Sequence, residues 1–174
     1  YYTTDGSLPT PETGVIALNQ NQAFPLIINK TTCVRAVAVK AGMVPSGVST
    51  HTYIFTHDVI ENPDAPDQNH MEEAPLSLPS IHLAANSFPS HSDVSTPASV
   101  EWIMPDYTEG FQMDGTLSLR QDSGLTHDSG KPSCHVDFGD QVLDYPLFET
   151  LNQPHAGFDL YSSAHDSWLG DAGG

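Results

Sequence analysis

Apolar and polar positions alternate with a period of two along much of this chain, in short runs broken by Gly and Pro. That is the pattern of half-buried β-strands joined by turns. Val15-Ile16-Ala17-Leu18 and Phe24-Pro25-Leu26-Ile27-Ile28 are short apolar runs separated by the polar stretch Asn19 to Gln22. Thr32 to Lys40 alternates: Val34, Ala36 and Ala38 point one way, and Cys33, Arg35, Val37 and Val39 the other. Ala41-Gly42 ends the run, Pro45-Ser46-Gly47 makes a turn, and Val48 to Phe55 is a further β-rich strand. The spacing is that of a small β-sandwich, and residues 1–56 are read as one such module.

Residues 57–78 form an acidic, Pro-rich connector, with the composition of a surface loop. A second β-rich lobe with long loops follows over residues 79–174. Leu78 to Leu83 restarts the apolar pattern, and residues 86–97 read as Ser/Pro-rich loop. Ala98 to Met104 puts Val100, Trp102 and Met104 on one face. Phe111, Met113, Gly115, Leu117 and Leu119 then alternate with polar residues, predicting a strand with one buried and one wet face. The two runs should pair as a hairpin across Pro105–Gly110, and Ser133 to Phe138 should bury Cys134, Val136 and Phe138. The fold class expected is mainly β: an immunoglobulin-like sandwich plus a second β-rich lobe.

The first residues sharpen this. Tyr1-Tyr2-Thr3-Thr4 has strand chemistry, and Asp5-Gly6 with Pro9 turns the chain away. No strand precedes it, and the sequence opens on neither an initiator Met nor a signal peptide. Tyr1 to Thr4 is therefore expected to need a partner strand from elsewhere, in a polymer subunit, a mature product or a fragment. An open sheet edge invites such pairing, and donor-strand contacts between copies do not close, so they give fibres.

Charge narrows the partners. Five Lys and Arg against 22 Asp and Glu give a net charge of −17, which excludes phosphate-rich nucleic acid as a natural ligand. It equally disfavours an anionic membrane, and no apolar run reaches the roughly 18 residues of a membrane span. The acids form a solvated surface; as hard oxygen ligands they also make Ca²⁺ a candidate ion, although no EF-hand loop is present. Cys33 and Cys134 are the only cysteines, with no CxxC pair to suggest structural zinc. A disulfide between them would close a long loop and add roughly 4–5 kcal/mol. Each also sits on an alternating strand pattern, where a buried free thiol is common.

Two stretches resemble known families. YTTDGSLPT followed by TTCVRAVAVKAGMVPSGVSTHTYIF, over residues 1–55, resembles the chitobiase/β-hexosaminidase C-terminal domain family, an immunoglobulin-like accessory module of secreted and surface proteins. SVEWIMPDYTEGFQMDGTLSLR, Lys131-Pro132-Ser133, Leu143-Asp144-Tyr145-Pro146-Leu147-Phe148, Phe158-Asp159 and His165-Asp166-Ser167-Trp168-Leu169 resemble the opening part of CotH-type proteins. The second resemblance implies a bacterial surface protein and a β-rich lobe ahead of an atypical kinase core. Within it Lys131 is the single nucleotide-side candidate, in surroundings acidic where cations would be expected, and the catalytic motif region is absent from the 174 residues.

No catalytic residue is assigned. His165-Asp166-Ser167 is an adjacent run, whereas triads are assembled by fold geometry, and Glu72-Glu73 lies in the connector. Asn29-Lys30-Thr31 is a sequon, making Asn29 a candidate for glycosylation. The expected function is that of an extracellular or cell-surface structural or adhesive β-protein, a filament subunit self-associating through an open sheet edge. The alternatives are a fragment of a CotH-type kinase, and an accessory carbohydrate-binding module with Tyr1, Tyr2 and Tyr53 as stacking platforms for glycans.

Overall fold

The alternating runs pair into antiparallel sheets. The computed structural model describes residues 1–19, 22–23, 25–60, 74–106, 108, 110–120, 133–147 and 153–161. In chain order the elements are β1 (Tyr2–Thr3), β2 (Leu18–Asn19), β3 (Gln22–Ala23), β4 (Thr32–Ala36), β5 (Ser49–Tyr53), α1 (Thr56–Ile60), α2 (Ala74–Ser77), β6 (Ser80–Ala85), β7 (Ser95–Ile103), β8 (Phe111–Leu119), β9 (Cys134–Asp137) and β10 (Gly157–Leu160). They form a three-stranded sheet in the order β1-β4-β5, a five-stranded sheet in the order β10-β9-β8-β7-β6, and a β2-β3 ribbon. The protein is mainly β, as its pattern predicts. Two compact units emerge, residues 1–86 with 99–112 and residues 87–98 with 113–174, so β7 and β8 contribute to both.

In the first unit β4 is the central strand. It pairs with β5 from Thr32↔Tyr53 to Ala36↔Ser49, and with β1 through Tyr2↔Ala36 and Thr3↔Arg35. The Tyr1 ammonium donates to the Val37 carbonyl at 3.0 Å, and the Val37 N–H donates to the Tyr1 carbonyl at 2.9 Å. On its other side Tyr2 exchanges two 2.8 Å backbone bonds with Val15. The expectation of a borrowed strand is thereby corrected: β4 and Val15 satisfy Tyr1 to Thr3 within the chain, because the loop through Pro9 returns Val15 to the outer edge of β1. Asp5-Gly6 makes the turn. The Asp5 carboxylate accepts from Ser7 N–H and Oγ, and Gly6 takes a φ of +78° that a side chain would resist.

Cross-strand partners share a face, so Thr3, Cys33, Arg35, Thr50 and Thr52 all lie on one side of this sheet. That side is the interior: Thr3, Arg35, Thr50 and Thr52 are buried, Thr50 completely. The opposite side carries Tyr2, Val34, Ala36, His51 and Tyr53, half-buried to exposed. An ordinary half-buried strand does the reverse.

The second unit follows the ordinary rule. Leu117, Val136 and Phe158 form one cross-strand row over β8, β9 and β10. Leu117 and Val136 are fully buried, Cys134 and Phe138 nearly so, and Phe138 meets Phe158 edge-on at 5.8 Å. Gly157 permits the close approach of β10, since a Cβ there would stand 2.2 Å from the Val136 carbonyl oxygen. β7 and β8 are sheet neighbours, as the hairpin expectation had it.

Elsewhere local pattern and structure part. Pro25 to Ile28 forms no strand despite its apolar content, and Ile27 is 84% exposed. The connector carries α1 at its start and α2 at its end, and β7 begins at Ser95, inside the stretch read as loop. Leu117→Ala should cost about 2–5 kcal/mol in urea denaturation by opening a cavity in the packed row. Val44→Ala, at a side chain 92% exposed, should stay within about 0.5 kcal/mol.

Candidate functional site

The interior of the first unit holds a cluster of chemistry-bearing side chains. β4 contributes Cys33, β5 its cross-strand partner Thr52, β6 His82 and β7 Glu101. β5 is an edge strand, so its outward N–H groups lack a ladder partner. The Thr52 N–H donates to Glu101 Oε1 at 3.0 Å, and the Thr52 hydroxyl donates to Oε2 at 2.5 Å. The same hydroxyl lies 2.9 Å from His82 Nδ1, which stands 3.6 Å from Oε2. Glu101 is therefore buried but not abandoned: its carboxylate caps a strand edge with charge-assisted hydrogen bonds.

Burial, the largest influence on Glu101, pushes its carboxyl upward. The hydrogen bonds from His82, from the Thr52 hydroxyl and from the Thr52 N–H, with the charge of His82, together outweigh it and hold the group below its ordinary range. The Cys33 thiol is raised, first by burial and then by the Glu101 charge, against the opposing influence of Thr52 and Arg35. It is a poor nucleophile in this state. Arg35 reaches the Gly6 carbonyl at 3.2 Å through one guanidinium nitrogen, while its Nε and the neighbouring Thr50 hydroxyl are buried with no hydrogen-bond partner.

Two open grooves flank the same sheet. One, of about 590 Å³, is lined by Tyr1, Ile16, Val37, Val39 and the small residues Ala36, Ala38 and Gly47. Val15, Ile16, Met43 and Val44 stand exposed beside or near it in the chain. The other, of about 280 Å³, combines Trp102, Phe111 and Met104 with the polar groups of His51, Gln112 and Glu101. Its Trp102 and Phe111 rings are stacked with centroids 6.4 Å apart.

In the second unit Asp159 bridges Arg120 through one carboxylate oxygen and His135 through the other, the latter at 2.7 Å. Arg120 also covers the Tyr161 ring at 5.1 Å. The Arg120 hydrogen bond is the main reason the Asp159 carboxyl lies low, with His135 adding to it against a small desolvation cost. These partly exposed groups fasten β8, β9 and β10 together and form no enclosed site.

The residues singled out from the sequence are dispersed. Tyr1 to Thr3 are taken up in sheet pairing. Cys33 and Cys134 are both free thiols, so the disulfide between them is not formed; each is held in its own strand interior. Asn29 is exposed, and the Thr31 hydroxyl of its sequon is engaged by Phe55, donating to its carbonyl and accepting from its N–H. Lys131, the connector carboxylates and the His165 to Leu169 signature lie outside the described residues. Sequence reasoning did not single out Glu101. A lone acid between Val100 and Trp102 in a run with no other charge was the available signal.

Residues 1–53 match the family model described as Fn3 associated. That match covers the three-stranded sheet and ends at Tyr53, the last residue of β5. No curated protein matches the chain, and neither does any solved structure. No helix among the described residues is long and apolar enough to cross a membrane.

Both lowered carboxyls make acid stability a test of the geometry. Glu101 and Asp159 titrate below their ordinary values of 4.5 and 3.8 when folded, so the unfolded chain takes up protons first as the pH falls. Their stabilisation is complete above the ordinary carboxylate range and is lost as the pH drops through the folded values. The midpoint of thermal unfolding should fall on acidification from about pH 7 to about pH 3. Glu101→Gln should flatten that acid limb while lowering the neutral plateau.

Proposed function

We propose that this chain is an extracellular structural or adhesive β-module that works by binding rather than by catalysis, and that it associates with further copies through the apolar outer groove of its three-stranded sheet. The observation that carries this reading is the inverted sheet. The interior face is lined by Thr3, Arg35, Thr50 and Thr52, while Ile16 and Val39, which line the groove, are left exposed. An exposed groove with apolar lining on a surface this polar marks an interaction site. The Fn3-associated match over the same sheet supports an extracellular setting. Strand donation at Tyr1 to Thr3 is not the route proposed, since those backbone groups are occupied.

The net charge of −17 sets the conditions. Copies repel at low salt, and the screening length shortens from about 30 Å at 0.01 M to about 10 Å at 0.1 M. Sedimentation velocity should show association that strengthens with ionic strength and with Ca²⁺. Ile16→Asp and Val39→Asp should abolish it while leaving the circular dichroism unchanged. Monomers at every salt and protein concentration would overturn the reading.

A second reading has its own observation. The groove bearing Trp102 and Phe111 with His51 and Gln112 offers an aromatic platform beside hydrogen-bonding groups, the combination that binds sugars. It replaces Tyr1, Tyr2 and Tyr53 as the candidate glycan platform. Loss of glycan-array signal on Trp102→Ala would support it. The kinase-fragment reading rests on the CotH-like signatures, and the intact mass of the natural product would decide it.

A further inference from the structure

The geometry points to a previously unassigned site for a thiophilic divalent cation of the zinc class, held by Cys33 Sγ, His82 Nδ1 and Glu101 Oε2. The ligand atoms offered by these three residues lie within 4.8 Å of one another, although the residues come from three strands 19 to 68 positions apart. Zinc–nitrogen and zinc–oxygen bonds of about 2.0–2.2 Å at the tetrahedral angle separate their ligand atoms by about 3.3–3.5 Å. His82 Nδ1 and Glu101 Oε2 already stand 3.6 Å apart. The sulfur lies within 4.8 Å of the other two ligand atoms, so closing its corner to the roughly 3.6 Å of a tetrahedral zinc site draws it in by at most about an ångström.

The surroundings are those of a metal site. The Thr52 N–H fixes Glu101 through Oε1 and leaves Oε2 directed at the cluster, the kind of hydrogen bond that holds ligating carboxylates in orientation. The Thr52 hydroxyl now sits between Oε2 and His82 Nδ1, bonded to both, as a placeholder at the centre of the polar cluster. His82 is 32% exposed and Glu101 6%, so an ion can enter past the imidazole and be held on a buried carboxylate. One thiolate and one carboxylate neutralise a dication, which lowers the cost of burying it. A thiolate with an imidazole selects zinc-class ions over Ca²⁺, which prefers an all-oxygen shell.

On binding, the Cys33 S–H bond breaks and its electron pair forms the sulfur–metal bond while the proton leaves to water. His82 gives up its Nδ1 proton to water and ligates through the freed Nδ1 lone pair as neutral imidazole, with the remaining proton on Nε2, and the Thr52 hydroxyl releases its bonds to Oε2 and Nδ1. Thr52 keeps its N–H bond to the carboxylate, and water fills the fourth position.

Cobalt(II), the spectroscopic stand-in for zinc, tests this on the reduced full-length chain. Titration should give one equivalent of tetrahedral d–d absorption together with a thiolate-to-cobalt charge-transfer band, both reversed by zinc and untouched by excess Ca²⁺. Cys33→Ser should remove the charge-transfer band, and His82→Ala, with its fold checked by circular dichroism because His82 also compensates Glu101, should weaken binding by about ten-fold or more. Alkylation mapping covers the case in which a variant misfolds. In the unaltered protein zinc should slow alkylation of Cys33 by about ten-fold and leave Cys134 unchanged. Absence of a charge-transfer band, its persistence in Cys33→Ser, or equal protection of both thiols would each overturn the assignment.

Discussion

The grip of the Glu101 carboxylate on Thr52 is the interaction on which the first unit depends. An edge strand with unpaired N–H groups is a liability in water and a larger one in an interior. Glu101 converts that liability into an attachment, because one oxygen takes the edge N–H and the other takes the side-chain hydroxyl of the same residue. The carboxylate is in turn compensated by His82 at 3.6 Å, so a buried charge is retained without being left alone. Deleting either partner would strand the other, which makes the pair a structural constraint as well as a chemical one.

That constraint explains why the sheet is turned inside out. Thr3, Arg35 and Thr52 face the interior because they find partners there: the Gly6 carbonyl for one guanidinium nitrogen of Arg35, the Ser7 carbonyl for Thr3 and Glu101 for Thr52. The apolar alternates of β4 are then left to the outside, where Ile16 and the Val37 to Val39 segment frame an open groove. The polar interior and the apolar exterior follow from one choice of face. The first gathers Cys33, His82 and Glu101 into the proposed metal site, the second forms the groove through which association is proposed.

The second unit shows the contrasting solution. Leu117, Val136 and Phe138 fill its interior by ordinary alternation, and its charged groups, Arg120, His135 and Asp159, sit together at the partly exposed face. There the pattern was enough to read the buried face of β8 and β9 correctly, because period-two alternation and burial agree. In β4 the same alternation identified the two faces but not which one is inside. A strand whose two faces carry Val-Ala-Ala and Cys-Arg-Val-Val offers no hydrophobic contrast strong enough to decide.

Local residue chemistry by itself determined the β class, the position of β4, β5, β8 and β9 and the Asp5-Gly6 turn, because each follows from spacing or turn chemistry. The tertiary structure alone decided that Tyr1 to Thr3 pairs with β4 and Val15, that Cys33 and Cys134 stay apart as free thiols, and that Glu101 is buried. It also brought Cys33, Thr52, His82 and Glu101 into one cluster. The reason is physical: such a cluster is made by which sheet faces pack together, and residues separated by up to 68 positions carry no local signal of that packing.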